Sequence, residues 1–563
     1  MYKKRLMKYS ILIVMTIILV LPQLITKNMV IGSDSIFHFN RFYDTAMQIK
    51  NHNFQYFISI YGFQQSARIV NPFYGPLFAY IQGLIVLVSK TRFRYQMLSN
   101  ALLYFIALFS MNTLLGILKI KEPTRSWISF IYLGTYAIQY WVTRQGFTSW
   151  GAAFLPLCLI PLVNLYNEGQ LKIIDLGCSM AWMIQVHLFT GFLLLLIYFT
   201  YFSYFFIKSV NKKKLIIDLF KSILLFFLLS SNLFVSLFEI YRYDPILAPF
   251  VNQTMYLNTI TANSYYWLFN PVFILFVMMF VIKRKLTSQR LNSFLLITIY
   301  LSFAFVGLSS NLLPWEYLLS TGNSLIKLIQ FPFRFFVPAT VFLLISAGLL
   351  LNRQPLTKKF VLPICGGITV IQIILLSLVT LSTWSSNHPF EKSGSHTVIK
   401  ETDLLKVKRS FYDSDLAKAL YLVEKPTPDY LPIHPKKNEN YYELYQKNIA
   451  DKNGQYQKDV THSGMRVVWT GKTEEWQQIP VIAYHGTKLS GKNGKKIAYI
   501  RNEDGTINVK ETIGENSIIV SHPATNFFSF SLAMTLFFWT LCGLLKVKRS
   551  RLKYINNLYF IRR

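Results

Sequence analysis

The sequence predicts a mainly α fold: a polytopic helical membrane protein of about 12 spans with a small extracellular β-rich domain. Three observations carry this. The 563 residues are 52% hydrophobic and 16% aromatic, and the mean hydropathy is +0.34. Apolar runs of roughly 20 residues recur along the chain, the length needed to cross the hydrocarbon core of a bilayer. Basic clusters flank those runs. The formal charge is +32, but residues 384–525 carry 20 Lys+Arg against 17 Asp+Glu, so the remaining +29 belongs to the apolar part. Charge placed this way sets membrane topology and meets anionic headgroups, and nucleic acid is excluded as a partner.

The first span, "SILIVMTIILVLPQLIT", follows the basic "MYKKRLMKY". No small-residue cleavage site follows it, so it reads as an uncleaved anchor rather than a signal peptide. Spans are expected at 10–27, 98–118, 126–142, 152–166, 173–187, 188–207, 214–236, 266–282, 291–308, 332–351, 360–382 and 526–545. The loops "KIKEPTR", "NEGQLK", "KSVNKKK", "KRKLTSQR" and "NRQPLTKK" then share one side with both termini, and the positive-inside rule makes that side the cytoplasm of a plasma-membrane protein. The apolar run 76–90 would invert every later loop if it spanned. It is therefore expected to be re-entrant or to lie on the surface, within a long first external loop, 28–97.

The chain divides into a membrane domain (1–383), an extracellular module (384–525), and a last span with a basic cytoplasmic tail (526–563). The second half of the module has short alternating runs separated by Gly, Asn and Asp turns, which are strand and hairpin signals. Cys158, Cys178, Cys365 and Cys542 all lie in apolar segments, without metal-site spacing, and read as packing residues.

The stretch "IGSDSIFHFNRFYDTAMQIKN" (31–51) opens the first external loop. As a helix it places Asp34, His38, Arg41, Thr45 and Gln48 on one stripe and aromatics on the other, the pattern of an amphipathic helix lying on a membrane surface. Further ionisable residues fall at external span ends: Arg68, Arg144, His187, Lys327 and Arg334. Arginine and lysine at an outer boundary suit a lipid phosphate or pyrophosphate. Each also has a plainer reading. Asp34 suits a helix N-cap, His187 a packing role, Arg144 and Arg334 headgroup anchors, and Asp44 an ion pair with a neighbouring cation.

The motifs "GSDSIFHFNRFYD" (32–44), "TRQGFTSWGAAFLPLCLIPLVNLY" (143–166), "IQVHLFTG" (184–191), "LIQFPFRFF" (328–336) and "DYLP" (429–432), with the β-rich stretch before the last span, occur in an order that resembles the GT-C glycosyltransferase superfamily. The nearer resemblance is to the YfhO-type multi-span proteins of Gram-positive bacteria, some of which carry a label relating them to 6-pyruvoyl-tetrahydropterin synthase. The resemblance implies a polyprenyl-phosphate-linked sugar donor and a cell-surface polymer, such as a teichoic acid, or a glycolipid as acceptor. It makes Asp34, assisted by His38, the catalytic pair. Arg41, Arg68, Arg144, His187, Lys327 and Arg334 would bind substrate. The chain departs from the pattern where relatives carry a second acid: Ser149 and Trp150 stand there. A divalent metal cofactor is therefore not supported by the sequence. The rival readings are a transporter or flippase of lipid-linked saccharide and a non-catalytic envelope scaffold.

Overall fold

The computed structural model describes residues 2–261, 273–287, 291–352, 355–394, 396–434, 436 and 439–561. The chain opens with α1 (Tyr2–Thr26), α2 (Ser35–Lys50), α3 (Pro76–Ser89) and α4 (Arg92–Ile117). Three closely broken pairs follow: α5 (Thr124–Leu133) with α6 (Tyr136–Arg144), α7 (Thr148–Cys158) with α8 (Ile160–Glu168), and α9 (Ile173–Val186) with α10 (Leu188–Lys208). A fourth pair, α11 (Lys212–Leu229) and α12 (Ser231–Tyr243), bends by 65° at its junction. Long helices at Phe273–Leu286, Ser293–Ser309, Phe336–Leu351, Pro355–Ser385 and Asn526–Ile561 complete the helical part.

Among the described residues, six helices are long and apolar enough to cross a membrane, or seven if the bent pair is one span. That is fewer than the twelve expected, and the shortfall has local causes. The run 126–142 is interrupted at Gly134 and Thr135. The helices Ile173–Val186 and Ser293–Ser309, and the apolar part of α1, Leu12–Thr26, are each 17 residues or shorter. The run expected at 266–282 lies partly outside the described residues; its remainder is the helix Phe273–Leu286. α3 has 14 residues, too few for an upright span.

Burial sorts the long helices into centre and periphery. The segment Pro332–Leu351 is 89% buried by the rest of the protein, whereas Asn526–Arg549 is only 22% buried. Peripheral helices turn Phe199, Phe220, Ile371, Leu375 and Phe537 outward. Such a surface is consistent with an apolar solvent around it. The four cysteines are free and buried, as packing residues would be.

α2 does not lie on a surface. Every residue from Ser35 to Ala46, and Gln48, is buried. The polar stripe is met from inside, because α3 and the loop between α2 and α3 fold over it. Arg41 Nε donates to Asn71 Oδ1 (3.1 Å) and Thr45 Oγ1 to the Ala79 carbonyl (2.9 Å). Asp44 Oδ1 accepts from the amides of Tyr61 (2.8 Å) and Gly62 (3.1 Å), and its Oδ2 accepts from Gln48 Nε2 (2.7 Å). Asp44 thus serves backbone donors rather than a cation. Periodicity alone does not distinguish a stripe facing water from one facing a folded-back loop.

The strands of the C-terminal region lie where the turn signals place them. β1 (Val398–Ile399) and β2 (Val423–Glu424) form a small antiparallel pair. β3 (Gln457–Thr461), β4 (Gly464–Gly471), β5 (Trp476–Ile482), β6 (Lys488–Ser490), β7 (Tyr499–Arg501), β8 (Thr506–Lys510) and β9 (Gly514–Ser521) form two antiparallel sheets, ordered β3-β4-β9-β6 and β5-β8-β7. Residues 391–456 carry short helices and the β1–β2 pair, and the two larger sheets are confined to 457–521. This region is not a free module. Met465, Val481 and Tyr484 share one core with Phe57, Ile60 and Ile69 of the first long loop, and Phe411 and Val423 share another with Met29, Ile36 and Phe93.

Candidate functional site

Gly32 and Asp34 dock on the C-terminal end of α6. A side chain at Gly32 would place its Cβ 2.3 Å from the Arg144 backbone, so only glycine fits there. Two residues on, the Asp34 amide donates to the Arg144 carbonyl (3.3 Å). The Asp34 side chain makes no capping bond to the first amides of α2. The N-cap reading of this carboxylate is therefore not realised; its hydrogen-bonding neighbour is the Ser33 hydroxyl. Asp34 is only partly exposed. Withdrawal from water raises its pKa, against the counter-charges of Lys425, Arg334 and Arg144.

Lys425 and Asp429 reach the site from a segment more than 380 residues away in sequence. Lys425 Nζ donates to the Ser33 carbonyl beside Asp34. Its pKa is lowered by burial and held up by Asp34 and Asp429. Burial pushes Asp429 up to about 6, with Asp34 adding to the rise and Arg68 and Lys425 opposing it. The result is a cluster of two carboxylates, Asp34 and Asp429, among Lys425, Arg334 and Arg144.

His38 and Arg41 adjoin this cluster, with Lys425 within electrostatic reach of His38. Both are buried. Arg41 Nη1 lies 3.3 Å from His38 Nδ1. A guanidinium can only donate, so Nδ1 accepts and Nε2 carries the proton of a neutral ring. Burial and the Arg41 charge hold the His38 pKa well below its usual value. The ring is boxed by Phe147 (4.8 Å between centroids), Tyr74 and Trp141. The Arg41 guanidinium lies 4.3 Å from the Tyr74 ring centroid. These two residues are enclosed by aromatic rings rather than open to solvent.

His187 caps α10, its Nδ1 accepting from the Thr190 amide (3.3 Å). It borders the same cluster, within electrostatic reach of Arg334, Arg41 and His38. Arg334 is partly exposed; its Nη1 donates to the Ile329 carbonyl (3.1 Å), and its guanidinium lies over Phe331 and Phe189. Arg144 is exposed at the end of α6. Lys327 stands apart, exposed on the short helix Ser324–Ile329. Arg68 is fully buried and grips the backbone carbonyls of Thr427 and Asp429.

Six of the eight residues singled out in the sequence, Asp34, His38, Arg41, Arg144, His187 and Arg334, thus gather in one cluster, Arg68 holds the backbone of the segment that carries Asp429, and Lys327 is exposed on its own short helix. Lys425 and Asp429 were missed as site residues. Their signal was "KPTPDY", an extended proline-punctuated segment with a charge at each end. At the position of the absent acid, Ser149 Oγ accepts from the Trp141 amide (2.9 Å) and Trp150 is fully buried. Among the described residues, no group of three or more His, Cys, Asp or Glu side chains is placed to hold a metal ion. No family model, curated protein or solved structure matches the chain.

Proposed function

We propose that this chain is an integral membrane glycosyltransferase that takes a sugar from a polyprenyl-phosphate carrier and adds it to a surface polymer or glycolipid outside the membrane. The observation that carries this reading is the uncapped, partly exposed Asp34 set among Lys425, Arg334 and Arg144. Transfer needs two things at one place. The acceptor hydroxyl must lose its proton as its oxygen attacks the anomeric carbon, and the bond to the lipid phosphate oxygen must break with negative charge developing there. Asp34 takes the proton. Arg144 and Arg334 meet the departing phosphate with charge-assisted hydrogen bonds.

The test is sugar analysis of surface polymers from cells lacking the chain, beside cells re-supplied with it. Loss and recovery of one glycosyl substituent is the expected result. Unchanged polymers, or accumulation of the complete lipid-linked saccharide on the cytoplasmic face, would replace the transferase with a scaffold or a flippase.

The reading also requires the cluster to face outward. Cysteine at Lys213 or Arg284 is expected to resist a membrane-impermeant thiol reagent in intact cells, while cysteine at the exposed Lys492 reacts. The native cysteines are buried and give a low background. The opposite labelling pattern would put Asp34 on the side where no external acceptor is found.

A further inference from the structure

The segment from Lys425 to Tyr430 carries two prolines, Pro426 and Pro428. Neither offers an N–H, so the segment cannot be held as an ordinary inner strand of a sheet. It is held instead by a side chain. Arg68 Nη1 donates to the Thr427 carbonyl (2.5 Å) and Nη2 to the Asp429 carbonyl. Asp429 and Tyr430 lie in a turn closed by the Leu431 amide on the Pro428 carbonyl (3.3 Å), and the two ends of the guanidinium bridge the carbonyls leading into it. The flat faces of the guanidinium meet Phe63 (5.0 Å) and Tyr445 (5.2 Å).

The loop that delivers Arg68 is strained. Phe63, Gln64, Gln65 and Ala67 have φ of 53°, 56°, 51° and 57°, left-handed values that side chains seldom adopt. Such a loop persists only where its surroundings over-determine it. Here Asn40 Oδ1 of α2 accepts from the Phe63 amide (2.7 Å). Lys458 Nζ of β3 donates to the carbonyls of Gln64 (3.0 Å) and Gln65 (3.1 Å). The Ile482 amide of β5 donates to the Ser66 carbonyl (2.8 Å). The C-terminal region and α2 thus jointly set where Arg68 stands.

We infer that Arg68 is a positioning residue, a buried clamp that holds the 425–430 segment in the register that brings Lys425 and Asp429 to Asp34. This role belongs to the cluster proposed above as the reacting site, and it is read without any transfer activity, so failure of the transferase reading leaves the measurement intact.

The test uses the full-length protein in lipid nanodiscs, with a hydrophobic carbodiimide as probe. That reagent adds to a carboxyl in its protonated form, so labelling of Asp34 followed by peptide mass spectrometry across pH gives its titration midpoint. The groups facing Asp34 are Lys425, Arg334, Arg144, Asp429, Tyr74 and Tyr442. Removing the Lys425 charge in K425M disfavours the carboxylate, so the midpoint moves up, by about 1 pH unit. R68K keeps a charge at position 68 but lacks the fork that spans two carbonyls. It is expected to move the midpoint in the same direction, and the double variant R68K/K425M to move it no further than K425M alone. A wild-type midpoint in folded R68K, or a fully additive shift in the double variant, would overturn the clamp and leave Arg68 a stabilising residue only. If R68K does not fold, P428A slackens the same segment without touching the arginine; an upward shift supports the clamp and an unchanged midpoint overturns it.

Discussion

Asp34→Asn is expected to lower glycosyl transfer by roughly two orders of magnitude or more, the scale of losing a general base, while the protein stays inserted and folded. Asparagine matches aspartate in shape but cannot accept a proton. The fold loses little, because the Asp34 side chain makes no capping bond to α2 and the contact with α6 runs through its backbone amide. The cost falls on charge. Lys425, Arg334 and Arg144 lose a carboxylate partner, and Asp429 loses the neighbour that helps push its carboxyl up to about 6. The variant's Asp429 therefore titrates lower than in the wild type. Activity in reconstituted vesicles, beside abundance and melting temperature, checks this. Wild-type transfer at wild-type abundance would strip Asp34 of its role and with it the main support for an enzyme.

How much of this was legible in the sequence depends on which contacts are local. Apolar runs and basic loops marked a helical membrane protein, because hydropathy is a property of the segment itself. They marked more spans than the six or seven helices long and apolar enough among the described residues, partly because a hydropathy window does not register a break. Nothing in the composition of 126–142 weighs Gly134–Thr135 heavily, yet the helix stops there, and the run 214–236 bends where α11 meets α12. The polar stripe of α2 was read correctly as a stripe and wrongly as a surface. Which partner satisfies it depends on residues 60–82 folding back over it, a long-range fact. The same holds at the site. Asp34, Arg144, His187 and Arg334 stood out because charge at the end of an apolar run is costly. Lys425 and Asp429 sit among ordinary charges of a polar region, and only the tertiary fold distinguishes them. Arg68 was noticed for its charge and given the wrong partner, since a guanidinium suits a phosphate and a pair of carbonyls equally well by composition.

Gly32→Ala is expected to cost both stability and activity, although it adds one methyl group away from the reacting atoms. The added Cβ would lie 2.3 Å from the Cα, carbonyl carbon and carbonyl oxygen of Arg144. Those are backbone atoms at the end of a helix, so no flexible side chain can swing aside, and the two chain segments must separate. Overpacking of this kind costs about 1–3 kcal/mol. The separation also stretches the bond from the Asp34 amide to the Arg144 carbonyl, already 3.3 Å, and moves the carboxylate away from the exposed arginine beside it. A displacement of about 1 Å between reacting groups can cost on the order of a hundredfold in rate. Gly307→Ala is the control. That glycine lies within the helix Ser293–Ser309, with nothing within 4 Å of the added Cβ. There alanine is expected to leave transfer unchanged and to stabilise slightly, by about 0.5–1 kcal/mol. Thermal unfolding and transfer measured on both variants separate the effects. A Gly32→Ala protein with wild-type melting and wild-type transfer would mean that the tight seating of Asp34 against α6 is not what sets the site.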